Sequence, residues 1–330
     1  MNRSILITGG AGFIGSHLTE SLLQAGWNVT AVDNLDPFYD LRIKHRNLEI
    51  CRAYGNQFTF LQLDITNHES LTRSLTGDYE VIVHLAAKTG VRPSVTNPRE
   101  YSFVNTQGTQ NMLEIARERN IRKFIFTSSS SVYGLNTHLP WSEDDQDLRP
   151  VSPYACSKLA SELLGHSYSE LYGIQFLALR FFTVYGPRQR PDLAIHKFAL
   201  KMLQGQALPV FGSMDSGRDY TYIDDVIQGI RRAIDYDDTR YEVINIGNNK
   251  TISMAKMIQT LEDAFGVKAI INHLPAAAGD LTLTCANIAK AHRLLNYEPQ
   301  TSFGEGIRLF KEWLTEENSK LHIPNSRHNP

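Results

Sequence analysis

Up to Arg180, short apolar runs alternate with longer stretches in which apolar positions recur at helical spacing. The runs Ser4–Thr8, Asn28–Val32, Phe58–Leu63, Glu80–His84, Lys123–Thr127 and Gln175–Leu179 predict six strands. The intervening stretches predict helices over Phe13–Ala25, 67–75, 98–119 and 153–172. Strands that are apolar at successive positions belong to a sheet covered on both faces. Their alternation with helices makes that sheet parallel and doubly wound. Past Arg180 the pattern changes. Prolines at 187, 191 and 209 and glycines at 186, 205, 212 and 217 divide it into short strands (208–211, 243–246, 269–273) and helices (192–204, 224–235, 253–265, 302–315). The expected architecture is therefore α/β: a doubly wound parallel sheet over 1–182 and a smaller C-terminal α/β lobe over 183–330. Parts of 219–250 are expected to thread back onto the first sheet. The polar, proline-bearing tail 318–330 reads as loosely ordered.

Composition narrows the classes. A chain of 330 residues, 42% hydrophobic and 21% charged, is an ordinary globular one, which excludes disordered, collagen-like and coiled-coil chains. Lys+Arg (33) nearly balances Asp+Glu (35), leaving a net charge of -2. No global positive field invites nucleic acid or an anionic membrane, so an anionic ligand would need a local site. Cys51, Cys156 and Cys285 are too few and too far apart for a disulfide framework or a zinc ribbon. The histidines fit no metal-ligand spacing, so no metal is expected. The apolar run before the first glycines is too short for a signal peptide. Nothing approaches the roughly 18 apolar residues of a membrane span, and a cytoplasmic address is expected.

The first strand runs directly into Thr8-Gly9-Gly10-Ala11-Gly12-Phe13-Ile14-Gly15. Gly9 permits a tight turn, Gly12 lets backbone approach a pyrophosphate at a positive helix end, and Gly15 lets the helix pack close to the sheet. A glycine-rich turn alone says little. This one follows a strand, opens a helix and is followed by Asp33 at the end of the second strand. A carboxylate there can accept from both ribose hydroxyls of an adenosine and would repel a 2′-phosphate, favouring NAD over NADP. Those features make the first lobe a Rossmann-type NAD-binding domain. Asp64, ending the third strand, reads either as an adenine partner or as the N-cap of the helix after it.

Tyr154-Ala-Cys-Ser-Lys158 opens a helix, and residues four apart share a helix face. The Lys158 ammonium beside the Tyr154 phenol is expected to lower the phenol toward neutrality, making it a base for a sugar hydroxyl. The fifth strand ends in Ser128-Ser129-Ser130-Ser131, at the edge of a doubly wound sheet where ligands sit. Hydroxyls there can hydrogen-bond the oxygen being oxidised. Tyr133, Tyr168, Tyr172 and Tyr185 read as packing, and Cys156 lies one step off the active face.

The Gly-x-x-Gly-x-x-Gly spacing resembles the extended short-chain dehydrogenases/reductases. His84-Leu-Ala-Ala, Asn105, Ser-Ser-Val-Tyr-Gly134, Tyr185-Gly-Pro-Arg and Arg218-Asp-Tyr-Thr-Tyr-Ile-Asp-Asp225 resemble its nucleotide-sugar epimerase/dehydratase branch. Dehydratases of that branch carry an Asp-Glu pair where Ser130 and Ser131 stand, and the decarboxylases carry Glu at the Ser131 position. Thr183 in Arg180-Phe-Phe-Thr-Val-Tyr-Gly, the following Arg190-Pro-Asp192, and Asp33-Asn-Leu-Asp-Pro-Phe-Tyr-Asp40 with Lys44 and Arg46 look like the UDP-glucuronate 4-epimerases.

The resemblance implies an isomerase with tightly bound NAD. C4 of the sugar is oxidised, the 4-keto sugar rotates, and reduction from the other face inverts C4. It implies Tyr154, Lys158 and Ser129 as the catalytic set. NAD is assigned to the glycine loop (Gly9, Gly12, Phe13, Ile14, Gly15), to Asp33 and Asn34, and to Asp64 and Ile65. The segment Leu85, Ala86, Ala87, Lys88 and Asn105, with Tyr154 and Lys158, completes that set. Arg92, Ser129, Ser130, Ser131, Thr183, Arg190, Val210 beside Phe211, Arg218 and Asp280 are assigned to the UDP-sugar. Oxidation at C4 makes glucuronate a β-keto acid prone to lose CO2. The hydroxyls of Ser130, Ser131 and Thr183 could hold the carboxylate out of line with the carbonyl. Alternatives stay open for four residues: Thr183 as a loop cap, Arg190 as an interdomain ion pair, Lys88 and Arg92 as solvated loop charges. The neutral UDP-glucose/UDP-galactose 4-epimerases remain an alternative, as do a decarboxylating lyase and a catalytically silent NAD-binding protein. Ala277 replaces an Arg that some hexose epimerases use on the pyrophosphate. Apolar positions Met112, Ile115, Leu163 and Leu164 suggest a homodimer through helices near 98–119 and 153–172.

Overall fold

The computed structural model describes residues 3–276 and 282–320. Six strands form where the apolar runs lie: β1 (Ser4–Thr8), β2 (Asn28–Asp33), β3 (Phe58–Gln62), β4 (Val81–His84), β5 (Lys123–Ser129) and β6 (Gln175–Phe181). Then come β7 (Thr183–Tyr185), β8 (Leu208–Phe211), β9 (Gly217–Tyr222), β10 (Tyr241–Ile246), β11 (Thr251–Ser253) and β12 (Ile271–Leu274). The main sheet has the order β10-β6-β5-β4-β1-β2-β3 and is parallel throughout. The chain order reverses between β1 and β4, and ligands bind such sheets beyond the strand C-termini at that point. Two small sheets, β11-β9-β7 and β12-β8, complete the fold.

Alternation within the strands explains the two-sided core. Ile5, Ile7, Val81, Val83 and Ile125 pack into one apolar cluster, while Leu6, Ile82, Phe124 and Phe126 pack into another on the opposite face. Each large side chain buried this way contributes on the order of 1.5–3 kcal/mol. Met112 and Ile115, expected to face outward, are fully buried in the second cluster, because the helix Gly108–Glu118 turns that edge inward. Leu164 leans partly on the same cluster and Leu163 is 63% exposed.

Other differences from the sequence expectation have local causes. The helix expected over 98–119 is Pro98–Tyr101, a π-helical stretch Ser102–Gln107, and Gly108–Glu118. A helix not foreseen, Leu41–Arg52, starts at Asp40, whose side chain accepts from the Arg42 N–H. The last helix, Phe303–Lys320, runs past 315 into the tail expected to be loose; 321–330 lie outside the described residues. Strand β10 lies beside β6 in the main sheet although it falls within the second lobe in sequence, in the segment 219–250 expected to thread back. Among the described residues, no helix is long and apolar enough to cross a membrane, and no group of three His, Cys, Asp or Glu is placed to hold a metal.

Candidate active site

One cavity of about 610 Å³ opens at the switch point. It runs from the loop after β2, past the first turn of the helix Phe13–Gln24, to the C-terminal ends of β5 and β6 and the start of β7. The glycine loop forms its floor. Gly9 sits at φ +72°, and a Cβ there would stand 2.8 Å from the Ala86 backbone nitrogen, so the turn requires glycine. A Cβ on Gly15 would lie 2.1 Å from the Gly9 carbonyl oxygen. Gly15 thus makes room for the loop backbone and not, as expected, for the sheet. Gly10 meets the sheet instead, with a Cβ position 2.6 Å from Ala31 Cβ. Gly12 is the extended N-cap of the helix and has no side-chain cap, so the first-turn amides face the cavity with Phe13 and Ile14. That is the cradle a dinucleotide pyrophosphate needs.

At one end, Asp33 is buried. It accepts from the Leu35 N–H (2.8 Å) and the Ala11 N–H (3.3 Å), and from Lys44 Nζ at 3.0 Å. Lys44 comes from the unforeseen helix Leu41–Arg52. Asn34 donates to Asp64, which also accepts from the Thr66 N–H and hydroxyl. Asp64 is not the N-cap of the next helix; Asn67 is, accepting from the Ser70 N–H. Ile65, Leu85, Ala86 and Ala87 line the adjoining wall. Lys88 is bridged to Asp36 (2.9 Å) and Glu100 (2.7 Å), so it is no solvated loop charge. Asn105 does not reach the cavity, contrary to expectation. Its amide accepts from the Lys88 N–H and donates to the Lys88 carbonyl and Ser157 Oγ, tying the β4 loop to the helix Pro153–Tyr172. The π-helical stretch carries that side chain. The residues present fit NAD.

At the other end stand the catalytic candidates. Ser152 caps the helix Pro153–Tyr172, accepting from the Ala155 N–H, and Pro153 fills its first turn. This start sets Tyr154 and Lys158 against β5. Burial holds the Tyr154 phenol above its ordinary range, while a hydrogen bond with Ser129 and the charge of Arg190 pull it down. The expectation that Lys158 depresses Tyr154 is not met here: Lys158 Nζ instead donates to the Thr127 carbonyl at 2.7 Å. Burial lowers Lys158 to about 7, against the opposing pull of Glu162. His84, fully buried, is pushed to about 3 by burial and by Lys158. It bridges Thr8 and Thr109 as a neutral ring.

Ser129, Ser130, Ser131 and Thr183 share this wall with Arg190 and Arg218. Arg190 holds Asp192 with two bonds (2.9 and 2.8 Å), donates to the Thr89 hydroxyl and lies over the Phe38 ring. It is thus at once an ion-pair member and part of the cavity. Arg218 donates to the carbonyls of Gly217 and Thr282. Two assigned residues fall elsewhere. Val210 is fully buried in the core, because β8 turns it inward, and Arg92 stacks 4.1 Å over Phe211 outside the cavity lining. Asp280 and Ala277 lie outside the described residues. Asp36, Phe38, Tyr39, Thr89 and Glu100 line the cavity without having been singled out as ligands, although Asp36, Phe38 and Tyr39 stood within the matched Asp33–Asp40 segment.

A profile described as the NAD dependent epimerase/dehydratase family matches residues 5–247. A protein from Thermodesulfobacterium geofontis named UDP-glucuronate 4-epimerase is 39% identical over 318 residues, covering 96% of this chain and 97% of its own. The crystal structure of UDP-glucuronic acid 4-epimerase from Bacillus cereus, in complex with UDP-glucuronic acid and NAD, superimposes with a TM-score of 0.88 at 37% identity. It covers 95% of this chain and 99% of that one. UDP-glucose 4-epimerase from Thermotoga maritima, with UDP-glucose, gives a TM-score of 0.87 at 31% identity, covering 95% and 99%.

Proposed function

The chain belongs to the NAD-dependent epimerase/dehydratase family, and from that premise we propose that it inverts C4 of UDP-glucuronate to give UDP-galacturonate. One observation carries the choice of substrate. Ser130, Ser131 and Thr183 line the sugar end of the cavity beside Arg190, and among the described lining residues at that end none is a carboxylate, Asp192 being paired with Arg190 outside the lining. Hydroxyls and a guanidinium can bind a sugar carboxylate; an acid there would repel it or promote elimination. When bound, NAD supplies the two-electron acceptor and donor.

The protein does the rest. Tyr154 takes the proton of the 4-hydroxyl and gives it back after the sugar has turned over. Ser129 holds the 4-oxygen, and Lys158 supports the phenolate. Arg218, in the cavity lining, would take the diphosphate. The hydroxyls keep the carboxylate bond out of alignment with the C4 carbonyl, which slows loss of CO2. A second reading, a UDP-glucose 4-epimerase, has the likeness to the Thermotoga maritima enzyme in its favour, with the same hydroxyls contacting a neutral CH2OH.

Exposed Leu163 (63%), Leu171 (72%) and Phe103 (56%) on the 98–119 and 153–172 helices support a homodimer. The free cysteines support a cytoplasmic address. The test is incubation of the purified protein with UDP-glucuronate and, separately, UDP-glucose, without added NAD, followed by NMR. Inversion of UDP-glucuronate is expected. Inversion of UDP-glucose alone would overturn the uronate assignment, and a pentose as main product would make the protein a lyase.

A further inference from the structure

Three successive residues at the end of β5 hold the helix Pro153–Tyr172 at three points. The Thr127 carbonyl accepts from Lys158 Nζ, Ser129 is hydrogen-bonded with Tyr154, and Ser128 Oγ donates to Glu162 Oε1. Tyr154, Lys158 and Glu162 are spaced four apart and share one face of the helix. From β6, Arg180 grips the same carboxylate with a fork, Nε to Oε1 at 3.0 Å and Nη2 to Oε2 at 2.8 Å. Ser128, Glu162 and Arg180 are all at most 3% exposed, and neither Glu162 nor Arg180 lines the cavity. Packing alone does not explain such a pair. Well-fitted apolar residues often fill a core as stably as a buried ion pair, whose desolvation offsets its attraction.

We propose that the Glu162–Arg180 pair is a positioning device for the proton relay. Through Ser128 it fixes the register of the helix on β5, and its carboxylate is the counter-charge that keeps Lys158 cationic. The proposal rests on the epimerase reading, in which a cationic Lys158 supports the Tyr154 phenolate. The groups around Lys158 leave Glu162 in that role. From its own helix it meets Glu162, from β4 the neutral His84, and from β5 the Thr127 carbonyl and the Phe126 ring at 4.9 Å. Glu162 itself faces Ser128 on β5, Arg180 on β6 and the Tyr241 phenol on β10. Tyr133 stacks behind Arg180 at 4.8 Å.

The test uses the NAD-bound enzyme with Glu162→Gln, Glu162→Asp and Ser128→Ala. Glu162→Gln should lower kcat at least about tenfold with KM within about threefold. It should also move the alkaline limb of the kcat profile down by about one pH unit, the scale of an opposite charge nearby. Glu162→Asp keeps the charge, so the limb should stay while kcat falls. A lowered melting temperature with an unchanged limb in Glu162→Gln would overturn the proposal. If Glu162→Gln does not fold, Ser128→Ala decides: a fall in kcat with KM unchanged and full activity restored by Ser128→Thr supports the device, and wild-type kcat overturns it. A readout independent of substrate is NMR titration of the Lys158 ε-carbon, assigned with Lys158→Met. Its midpoint should fall in Glu162→Gln, and an unmoved midpoint refutes the counter-charge. A wild-type protein inactive on both UDP-sugars would instead refute the epimerase reading and leave this titration valid.

Discussion

Lys158 is held in the folded protein against its own solvation, and removing it should stabilise the molecule. Its pKa falls from the ordinary 10.5 to about 7 on folding, first because of burial. At about 1.4 kcal/mol per pH unit, that gap makes the buried cation cost roughly 5 kcal/mol when both states are protonated. Lys158→Met fills much the same volume without the charge. It also forfeits the hydrogen bond to the Thr127 carbonyl, worth about 1–3 kcal/mol for a charged donor. The variant should therefore be about 2–4 kcal/mol more stable than wild type at pH 6.

The pH dependence has a defined sign. A folded pKa below the unfolded one means that the native state sheds its proton first. The lysine's penalty is thus full below pH 7, shrinks between pH 7 and about 10.5, and is gone above. Unfolding entropies of about 2.1 cal/mol/K per residue put the shift for this chain near 3–6 °C in Tm at pH 6. Calorimetry of the protein stripped of NAD, at pH 6 and pH 9.5, measures it. A variant less stable than wild type at pH 6, or one with the same advantage at both pH values, would refute the reasoning.

Tyr154→Phe should lower kcat by about 10²–10⁴ with KM little changed, because it removes the base and leaves the cavity shape; steady-state kinetics reads this. Gly15→Ala places a methyl 2.1 Å from the Gly9 carbonyl oxygen, so the loop must shift; the purified variant should release much less NAD on heating than wild type. Thr183→Val keeps volume but loses the hydroxyl, and should raise the share of decarboxylated product from UDP-glucuronate several-fold by NMR. An unchanged product ratio would remove Thr183 from the account of carboxylate restraint.

The strands of the first half were legible because burial on both faces writes itself as an unbroken apolar run. Ile5, Leu6 and Ile7 serve two cores without needing a polar alternation. The helix Leu41–Arg52 was hidden for the opposite reason. Its buried face carries Lys44 and Asn47, which bond Asp33 and the Ala11 carbonyl, so its apolar periodicity is interrupted where it matters most. Strands β7 and β9 were missed likewise, since Thr183, Arg218, Asp219 and Thr221 put polar groups into a lining or a core. In the site, the spacing of Tyr154 and Lys158 on one helix and of the glycines on one turn was enough to bring them to one cavity. Arg92, Asn105 and Val210 show the limit: residue type at a matching position does not say which way a side chain turns. Neighbours three elements away decided that Asn105 would clamp Lys88 and not face the ligand.

A near-neutral chain can still bind a diphosphate because its charges are paired unevenly along the cavity. At the end formed by the loop after β2, Lys44 is neutralised by Asp33 and Lys88 by Asp36 and Glu100, all within 3.0 Å. At the sugar end, Lys158 and Arg218 donate to backbone carbonyls, Glu162 near Lys158 is itself paired with Arg180, and Arg190 is paired with Asp192. The cationic field therefore concentrates at the second end although the cations are spread over both. A carbonyl satisfies a donor without cancelling its charge, so these side chains stay ordered before any ligand arrives and still attract an anion. Partial burial weakens screening by salt, which makes such a local field effective where a surface patch of the same charge would be damped within about 10 Å. An anionic sugar diphosphate is thus drawn to the end where Tyr154 stands, and the paired end is left to a ligand recognised by hydrogen bonds.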